Sequence, residues 1–325
     1  MELPDIMNAV VFDGPYKVSL QQRPVPKIQN DGDIIVKVLA AGLCGSELHM
    51  FRGHEPGGTG FIMGHEFTGT VVAAGKNVQT VKIGDKVVAP FTVSCMKCFY
   101  CKNGYSSRCV DSLLLGSARL DGAQAEYCRV PFADGTVVKA PPEIDDKSLI
   151  LMADIFPTGF FGARNAFNGL GDQNPHESTA VVIGCGPVGL CALVSALEYK
   201  PKHLFAIDSV DSRLEIAQSL GAEPLNFKTD PKGMIERIKE VTEGRGADIV
   251  IEVMPFTATD GYDKNVRVQM GRCPVRSVFH DALKVLAQRQ HVFSFMFEHI
   301  MPLSEAVSGY EMFDKMQVQK VIFEP

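Results

Sequence analysis

The chain has 325 residues, 46% of them hydrophobic and 22% charged, with a formal net charge of −6. That is the profile of a soluble globular protein long enough for two domains. The mild acidity argues against a nucleic-acid or membrane-surface partner, and no apolar run reaches transmembrane length.

The first 150 residues read as β structure. NAVVFDG, DIIVKVLAAG, FTGTVVAAG and DKVVAP are short β-branched runs cut by Gly, Pro and Asp. After about residue 170 strands and helices alternate. TAVVIGCGPVGLCALVSALEYK gives a strand, a glycine turn and a helix. HLFAID gives a second strand, SRLEIAQSLGA a helix ending at Gly221, and PLNF a third strand. PKGMIERIKEVTEGRG gives a helix with Pro231 near its start and Gly244 at its end, and ADIVIEVM a fourth strand. This alternation predicts a parallel sheet covered on both faces. RSVFHDALKVLAQ then predicts a helix, followed by mixed structure to the end.

Nine cysteines is an odd number and too few for a disulfide scaffold. The N-terminal stretch MELPDIMNAVVFDGPYKV has no basic segment followed by an apolar one, so no signal peptide is expected. Both point to a reducing, cytoplasmic location. Cys95, Cys98, Cys101 and Cys109 are spaced C-x2-C-x2-C-x7-C. Cysteines this close can curl four thiolates around one ion, which favours structural zinc. An iron–sulfur cluster also accepts four thiolates, although its common spacings differ, and disulfides are disfavoured by the compartment.

Gly184, Gly186 and Gly189 form G-x-G-x-x-G between an apolar strand and a helix, the context of a dinucleotide-binding turn. Gly184 permits the tight turn and Gly186 the approach of a pyrophosphate. Gly189 permits helix–strand packing. Pro187 and Val188 lie inside the loop, and the helix N-terminus faces the phosphates. A ligand-free glycine turn would look the same over these few residues. Asp208 ends the second strand nineteen residues after Gly189. A carboxylate there can bind both hydroxyls of an adenosine ribose and would repel a 2′-phosphate, so NAD is expected over NADP. Arg213 can flank the ribose.

The β-rich part carries AAGLCGSELHMFRGH, IMGHEFTGTV and MADIFPTGFFGA. Each is ambiguous alone, because a lone Cys or His is more often structural than a ligand. Together with GHE, the four-cysteine lobe, GCGPVGL and the terminal KVIF, they resemble the zinc-containing medium-chain alcohol dehydrogenases over nearly the whole chain. The resemblance implies a β-rich GroES-like catalytic domain (1–155), a doubly wound Rossmann coenzyme domain (156–275) and a return to the catalytic domain (276–325). It implies two zinc ions per chain and NAD. Cys44, His65 and Asp154 would hold the catalytic zinc; the aspartate, in DIFPTG, is similar to formaldehyde-dehydrogenase-like members. Cys95, Cys98, Cys101 and Cys109 would hold the structural zinc. Glu66 would stand beside the metal and enter or leave its coordination shell. Ser46 would touch the alcohol oxygen and His49 would be the outer base of a proton relay. Phe91 and Phe156 would lie near the substrate pocket. Gly45 stands where some members have Arg, which implies looser coenzyme binding.

The implied activity is oxidation of a small or medium alcohol or polyol, or the reverse, with a zinc-bound alkoxide giving hydride to nicotinamide. A homodimer or homotetramer is implied as well. One stretch departs from the family. Between the fourth strand and VRVQM stand only the twelve residues MPFTATDGYDKN, without helical period. A parallel crossover including its helix needs at least about 10–12 residues. One helix and one strand after about residue 253 are therefore expected to be missing, with VRVQM displaced. The alternative function is an impaired relative that keeps its zinc sites but has lost productive nicotinamide binding.

Overall fold

Strand β3 (Ile34–Leu43) shows how the first part of the chain folds. Its side chains Lys37 and Leu39 face out, while Ile34, Val36, Val38 and Ala41 are buried. That alternation gives the sheet one apolar face. The computed structural model describes residues 3–55, 57–252 and 267–325. The chain forms two compact units, Met1–Asp154 with Pro274–Pro325, and Ile155–Cys273.

In the first unit β3 pairs antiparallel with β4 (Glu66–Ala74), β6 (Tyr127–Val130) and β13 (Val321–Glu324). The sheet continues through β5 (Lys86–Ala89) and β7 (Val138–Lys139) on one side, and β12 (Ile300–Pro302) on the other. A hairpin of β1 (Ile6–Gly14) and β2 (Lys17–Pro24) stands apart. One core joins Val36, Phe67, Val71 and Val87 under the main sheet. A second core joins Leu43, Leu48 and Phe51 to Tyr310, Val321 and Phe323. The C-terminal return is thereby packed behind the helix Gly45–Phe51, and this packing positions the site described below.

The second unit has a parallel sheet. Its order is β10 (Glu223–Asn226), β9 (His203–Asp208), β8 (Thr179–Ile183), β11 (Ile249–Glu252). The first strand in the chain lies inside the sheet and the fourth pairs on its far side, which is the doubly wound order. Helices Pro187–Leu197, Asp211–Ser219 and Pro231–Val241 make the crossovers. The helix Pro187–Leu197 is apolar on nearly every side and accordingly buried from Gly189 to Ala196. Its entry needs glycine twice. Gly184 sits at φ +88°, and a Cβ at Gly189 would come within 1.7 Å of the Gly184 carbonyl oxygen.

The expected loss of a helix and a strand after residue 253 concerns residues 253–266, which lie outside the described residues. Residues 267–270 of VRVQM are irregular and exposed, and among the described residues β11 ends the sheet. No helix among the described residues is long and apolar enough to cross a membrane.

Candidate metal centres and dinucleotide loop

Cys44 follows β3 directly and is the N-cap of the helix Gly45–Phe51. The third helical residue is Glu47, and its Oε2 accepts the Cys44 backbone N–H at 3.0 Å. This is the reciprocal capping arrangement of a helix N-terminus. It turns the Glu47 carboxylate back toward Cys44 and fixes where the thiol points. His65 immediately precedes β4, and Glu66 begins it. Asp154 closes the first unit's N-terminal portion.

These elements bring Cys44, His65, Glu66 and Asp154 together, with their donor atoms all within 4.8 Å of one another. His65 Nε2 is 3.5 Å from Asp154 Oδ2, and Cys44 Sγ is 3.8 Å from the same oxygen. The Ser46 hydroxyl lies 3.4 Å from both Cys44 Sγ and His65 Nε2. The His65 ring turns its other nitrogen, Nδ1, to Glu47 Oε1 at 3.5 Å. Nε2 therefore faces the donor cluster. Phe91 stands edge-on to this imidazole, with 6.1 Å between ring centroids.

The electrostatics of this cluster are those of a cation site. Burial pushes the Cys44 thiol up, and Glu66 and Asp154 push it further, against His65. Burial pushes His65 down, but Cys44, Glu47 and Asp154 outweigh it and leave the imidazole well above its ordinary value. Three acidic groups thus crowd one buried histidine. One sulfur, one imidazole nitrogen and carboxylate oxygens form a mixed donor set that suits zinc. Glu66 is held by buried Lys320 through one oxygen, while its Oε1 is buried without a hydrogen-bond partner among the described residues. Gly42 makes room for this pair, since a Cβ there would come 2.4 Å from Glu66 Oε2.

Cys95, Cys98, Cys101 and Cys109 form a second donor group with the same spread. Cys109 Sγ is 3.4 Å from Cys95 Sγ, far beyond the ~2.05 Å of a disulfide, and none of the nine cysteines is in a disulfide. Cys109 Sγ also accepts the N–H groups of Cys95 and Asp111 at 3.2 and 3.4 Å. The backbone N–H groups of Cys101 and Val110 pull Cys98 down to about 6, whereas burial pushes Cys101 up to about 12. Four converging sulfurs with backbone donors around them fit a closed structural zinc site.

In the second unit Gly184, Gly186, Pro187, Val188 and Gly189 form the turn into the helix Pro187–Leu197. Asp208 ends β9 but is more engaged than a free ribose ligand. Its Oδ2 accepts the Cys185 N–H at 2.7 Å, and its Oδ1 accepts those of Ser209 and Val210 at 2.6 and 2.9 Å. Arg213 lies 4.0 Å away. Asp208 therefore ties the glycine turn to the neighbouring strand.

Other expected residues are placed less closely. His49 is exposed one turn along the helix from Ser46, its ring 6.2 Å from that of His54. No hydrogen bond joins Ser46 to His49 among the described residues, so proton passage between them needs a bridging hydroxyl or water. Phe156 is fully buried in the helix Ile155–Asn168 of the second unit. Sequence reasoning passed over Glu47, Gln124, Tyr310 and Lys320. Glu47 had a signal, a Glu three residues into a helix start. Lys320 stands in the quoted KVIF run without a role attached, and nothing local marks Gln124 or Tyr310.

A β unit carrying this metal centre and a doubly wound unit carrying a glycine turn are the two parts of a medium-chain dehydrogenase/reductase. Residues 30–142 match the model of the alcohol dehydrogenase GroES-like domain, and residues 187–308 that of zinc-binding dehydrogenase. Zinc-type alcohol dehydrogenase B of Aspergillus flavus is 56% identical over 352 positions, covering 99% of this chain and 82% of that protein. A glutathione-independent formaldehyde dehydrogenase of Pseudomonas aeruginosa is 35% identical over 77% of this chain and 66% of its own length. The solved alcohol dehydrogenase TADH from Thermus sp. ATN1 superposes with a TM-score of 0.87 at 32% identity, covering 98% of this chain and 99% of that one. The chain belongs to the zinc-type alcohol dehydrogenases of the medium-chain dehydrogenase/reductase superfamily, a family of oxidoreductases with a GroES-like and a Rossmann-type unit. The Aspergillus alignment runs over 352 positions against 325 residues here, so at least 27 of its positions face no residue of this chain.

Proposed function

We propose that the protein catalyses zinc- and NAD-dependent interconversion of a small or medium alcohol or polyol with its aldehyde or ketone. The observation that carries this reading is the buried convergence of Cys44, His65, Glu66 and Asp154 donor atoms within 4.8 Å. Cys44, His65 and Asp154 would hold a catalytic zinc, and the four-cysteine group a structural one. A zinc ion in such a site acts as a Lewis acid that makes an alcohol more acidic and polarises a carbonyl. NAD supplies the hydride acceptor.

The chain's own groups do the rest. The Ser46 hydroxyl, 3.4 Å from His65 Nε2, is placed to take the alcohol's proton. His49, exposed to solvent, passes it on. Glu66 stands beside the metal ligands, its charge balanced by Lys320. The turn Gly184–Gly189 presents backbone to the pyrophosphate, and Asp208 beside it disfavours a 2′-phosphate. Phe91 and Phe156 are assigned to the apolar side of the substrate path. The active form is taken to be a cytoplasmic homodimer or homotetramer.

Metal analysis tests the assignment. Two zinc ions per chain are expected. Cys44→Ala should lose one with all turnover, and Cys98→Ala should lose the other and destabilise its lobe. Full metal content in both variants would overturn the ligand assignment.

A second reading is supported by length. At least 27 aligned positions of a close relative face no residue here, in keeping with a coenzyme unit short of one helix and strand. Such a protein would keep its zinc and the adenine end of the coenzyme but place nicotinamide loosely. Since a misplacement of about 1 Å can cost ~10²-fold in rate, turnover would be slow. It would bind ADP-ribose as tightly as NAD; markedly tighter NAD binding would reject this reading.

A further inference from the structure

Behind the metal cluster runs a buried chain of polar side chains that the proposed reaction does not use. Tyr310 Oη donates to Gln124 Oε1 at 2.9 Å, and Gln124 Nε2 donates to Glu47 Oε2 at 3.3 Å. The same carboxylate takes the Cys44 backbone N–H at 3.0 Å and lies 3.5 Å from His65 Nδ1. Tyr310 and Gln124 are fully buried, and Glu47 is 1% exposed.

The direction of this chain follows from chemistry. Tyr310 is buried, and its phenol donates to the amide oxygen. The amide then turns its NH2 end to Glu47 Oε2, which accepts it. Glu47 Oε1, buried without a hydrogen-bond partner among the described residues, faces His65 Nδ1 at 3.5 Å; a proton on that nitrogen would satisfy it and leave Nε2 as the lone-pair nitrogen facing Cys44 and Asp154. Both ends of the chain are anchored. The Tyr310 ring stacks on Phe323 at 6.4 Å and tilts against Phe51 at 5.3 Å. Gln124 is pinned by its backbone, whose N–H donates to the Met63 carbonyl and whose carbonyl accepts the Val10 N–H, both at 2.8 Å.

We propose that Gln124 and Tyr310 are positioning residues for the catalytic metal centre: together they hold the Glu47 carboxylate, which sets the Cys44 backbone and the His65 tautomer. The segment after the coenzyme unit, which carries Tyr310, thereby props the metal ligands from behind. This rests on the reading of Cys44, His65 and Asp154 as zinc ligands.

The test uses Tyr310→Phe, which removes one oxygen atom, and Gln124→Met, which keeps the side chain's length but removes its hydrogen bonds. Zinc affinity is measured for each site in the full chain by competition with a chelator. The visible absorption of cobalt(II) substituted at the mixed-ligand site is recorded alongside. Each variant should bind zinc at that site about 10-fold more weakly or worse, in the range seen when an outer partner of a ligand is lost. The cobalt bands should shift. The double variant should be no weaker than the worse single one, because the two residues act in series, and the four-cysteine site should keep its affinity. Wild-type affinity and spectrum in both variants would overturn the proposal, as would an equal loss at both sites. A wild-type protein with no metal at the Cys44 site would instead overturn the underlying ligand assignment.

Discussion

Lys320 Nζ makes a direct ion pair with Glu66 Oε2 in which both side chains are buried, at 1% and 0% exposure. The two residues come from adjoining segments, Lys320 just before β13 and Glu66 at the start of β4, brought together across β3. Burial alone would push the lysine down, but Glu66 and Cys44 overcome it and hold the ammonium above its usual range. A pair of this kind is costly to break from one side, because the remaining charge stays buried. Lys320→Met should destabilise the metal-free protein by about 3–5 kcal/mol, read by urea unfolding. Adding Glu66→Gln should recover most of the loss. A Lys320→Met protein as stable as wild type would show that the pair is not closed in solution.

Thiol chemistry separates the two donor groups from the other cysteines. Cys128, Cys185, Cys191 and Cys273 are buried. Burial pushes Cys128 and Cys185 up to about 12, so they stay thiols at pH 7. With zinc bound, a disulfide reagent such as DTNB should find almost no fast thiols. Chelation should free Cys98 to react first, because its backbone donors hold it down to about 6, while Cys101, pushed up by burial to about 12, should stay slow. Cys44 should follow slowly, since burial pushes it up. Rapid labelling of Cys128 or Cys185 in the folded protein would contradict this ordering.

Asp208 ties the turn and is proposed to meet the ribose, and substitutions bear on both. Asp208→Asn removes the charge, so NADP should gain on NAD, but it keeps only one of the two acceptor oxygens and so loses at least one of the turn's three N–H bonds. Asp208→Ala also strands the buried N–H of Cys185, at a cost of about 1–3 kcal/mol, and both coenzymes should bind less well. Binding titrations with NAD and NADP, beside thermal unfolding, read the two effects. A wild-type protein that prefers NADP would dismiss the proposed role of Asp208.

A carboxylate away from the site sets part of the acid stability. Asp134 Oδ1 accepts the Thr80 N–H at 2.8 Å, the Thr80 hydroxyl at 2.7 Å and the Gln79 N–H at 3.0 Å. Burial pushes this carboxyl up, but those donors outweigh it and leave it below its usual value. A depressed folded value means the stabilisation is complete above the unfolded value near 3.9 and is lost as pH falls through the folded one. Asp134→Asn should therefore cost about 1 kcal/mol at neutral pH, and the gap between the two proteins should narrow as pH falls below the unfolded value near 3.9. An unchanged gap at pH 2, measured by thermal unfolding of both metal-free proteins, would reject this linkage.

The fold was legible where local pattern and burial agree. β3, β8 and β9 announced themselves by β-branched runs, and the turn at Gly184 by a spacing that packing demands. The metal cluster was legible only through resemblance, because Cys44, His65 and Asp154 are far apart in the chain and none is distinctive alone. Its outer support was not legible. Gln124 and Tyr310 are 186 residues apart, and their hydrogen bond exists only because the C-terminal return packs behind the helix Gly45–Phe51. Asp208 was recognised by position, but its bonds to three backbone N–H groups depend on the turn's three-dimensional path.

The most direct test of zinc-dependent alcohol oxidation is NADH formation. Protein verified by intact mass at 35.4 kDa is loaded with zinc and assayed with NAD against a panel of primary, secondary and polyhydric alcohols. The expected result is NADH production that is slow, disappears on chelation, returns with zinc and is absent in Cys44→Ala. A protein carrying two zinc ions that forms no NADH from any alcohol, and consumes none with any of the matching carbonyls, would contradict the assignment.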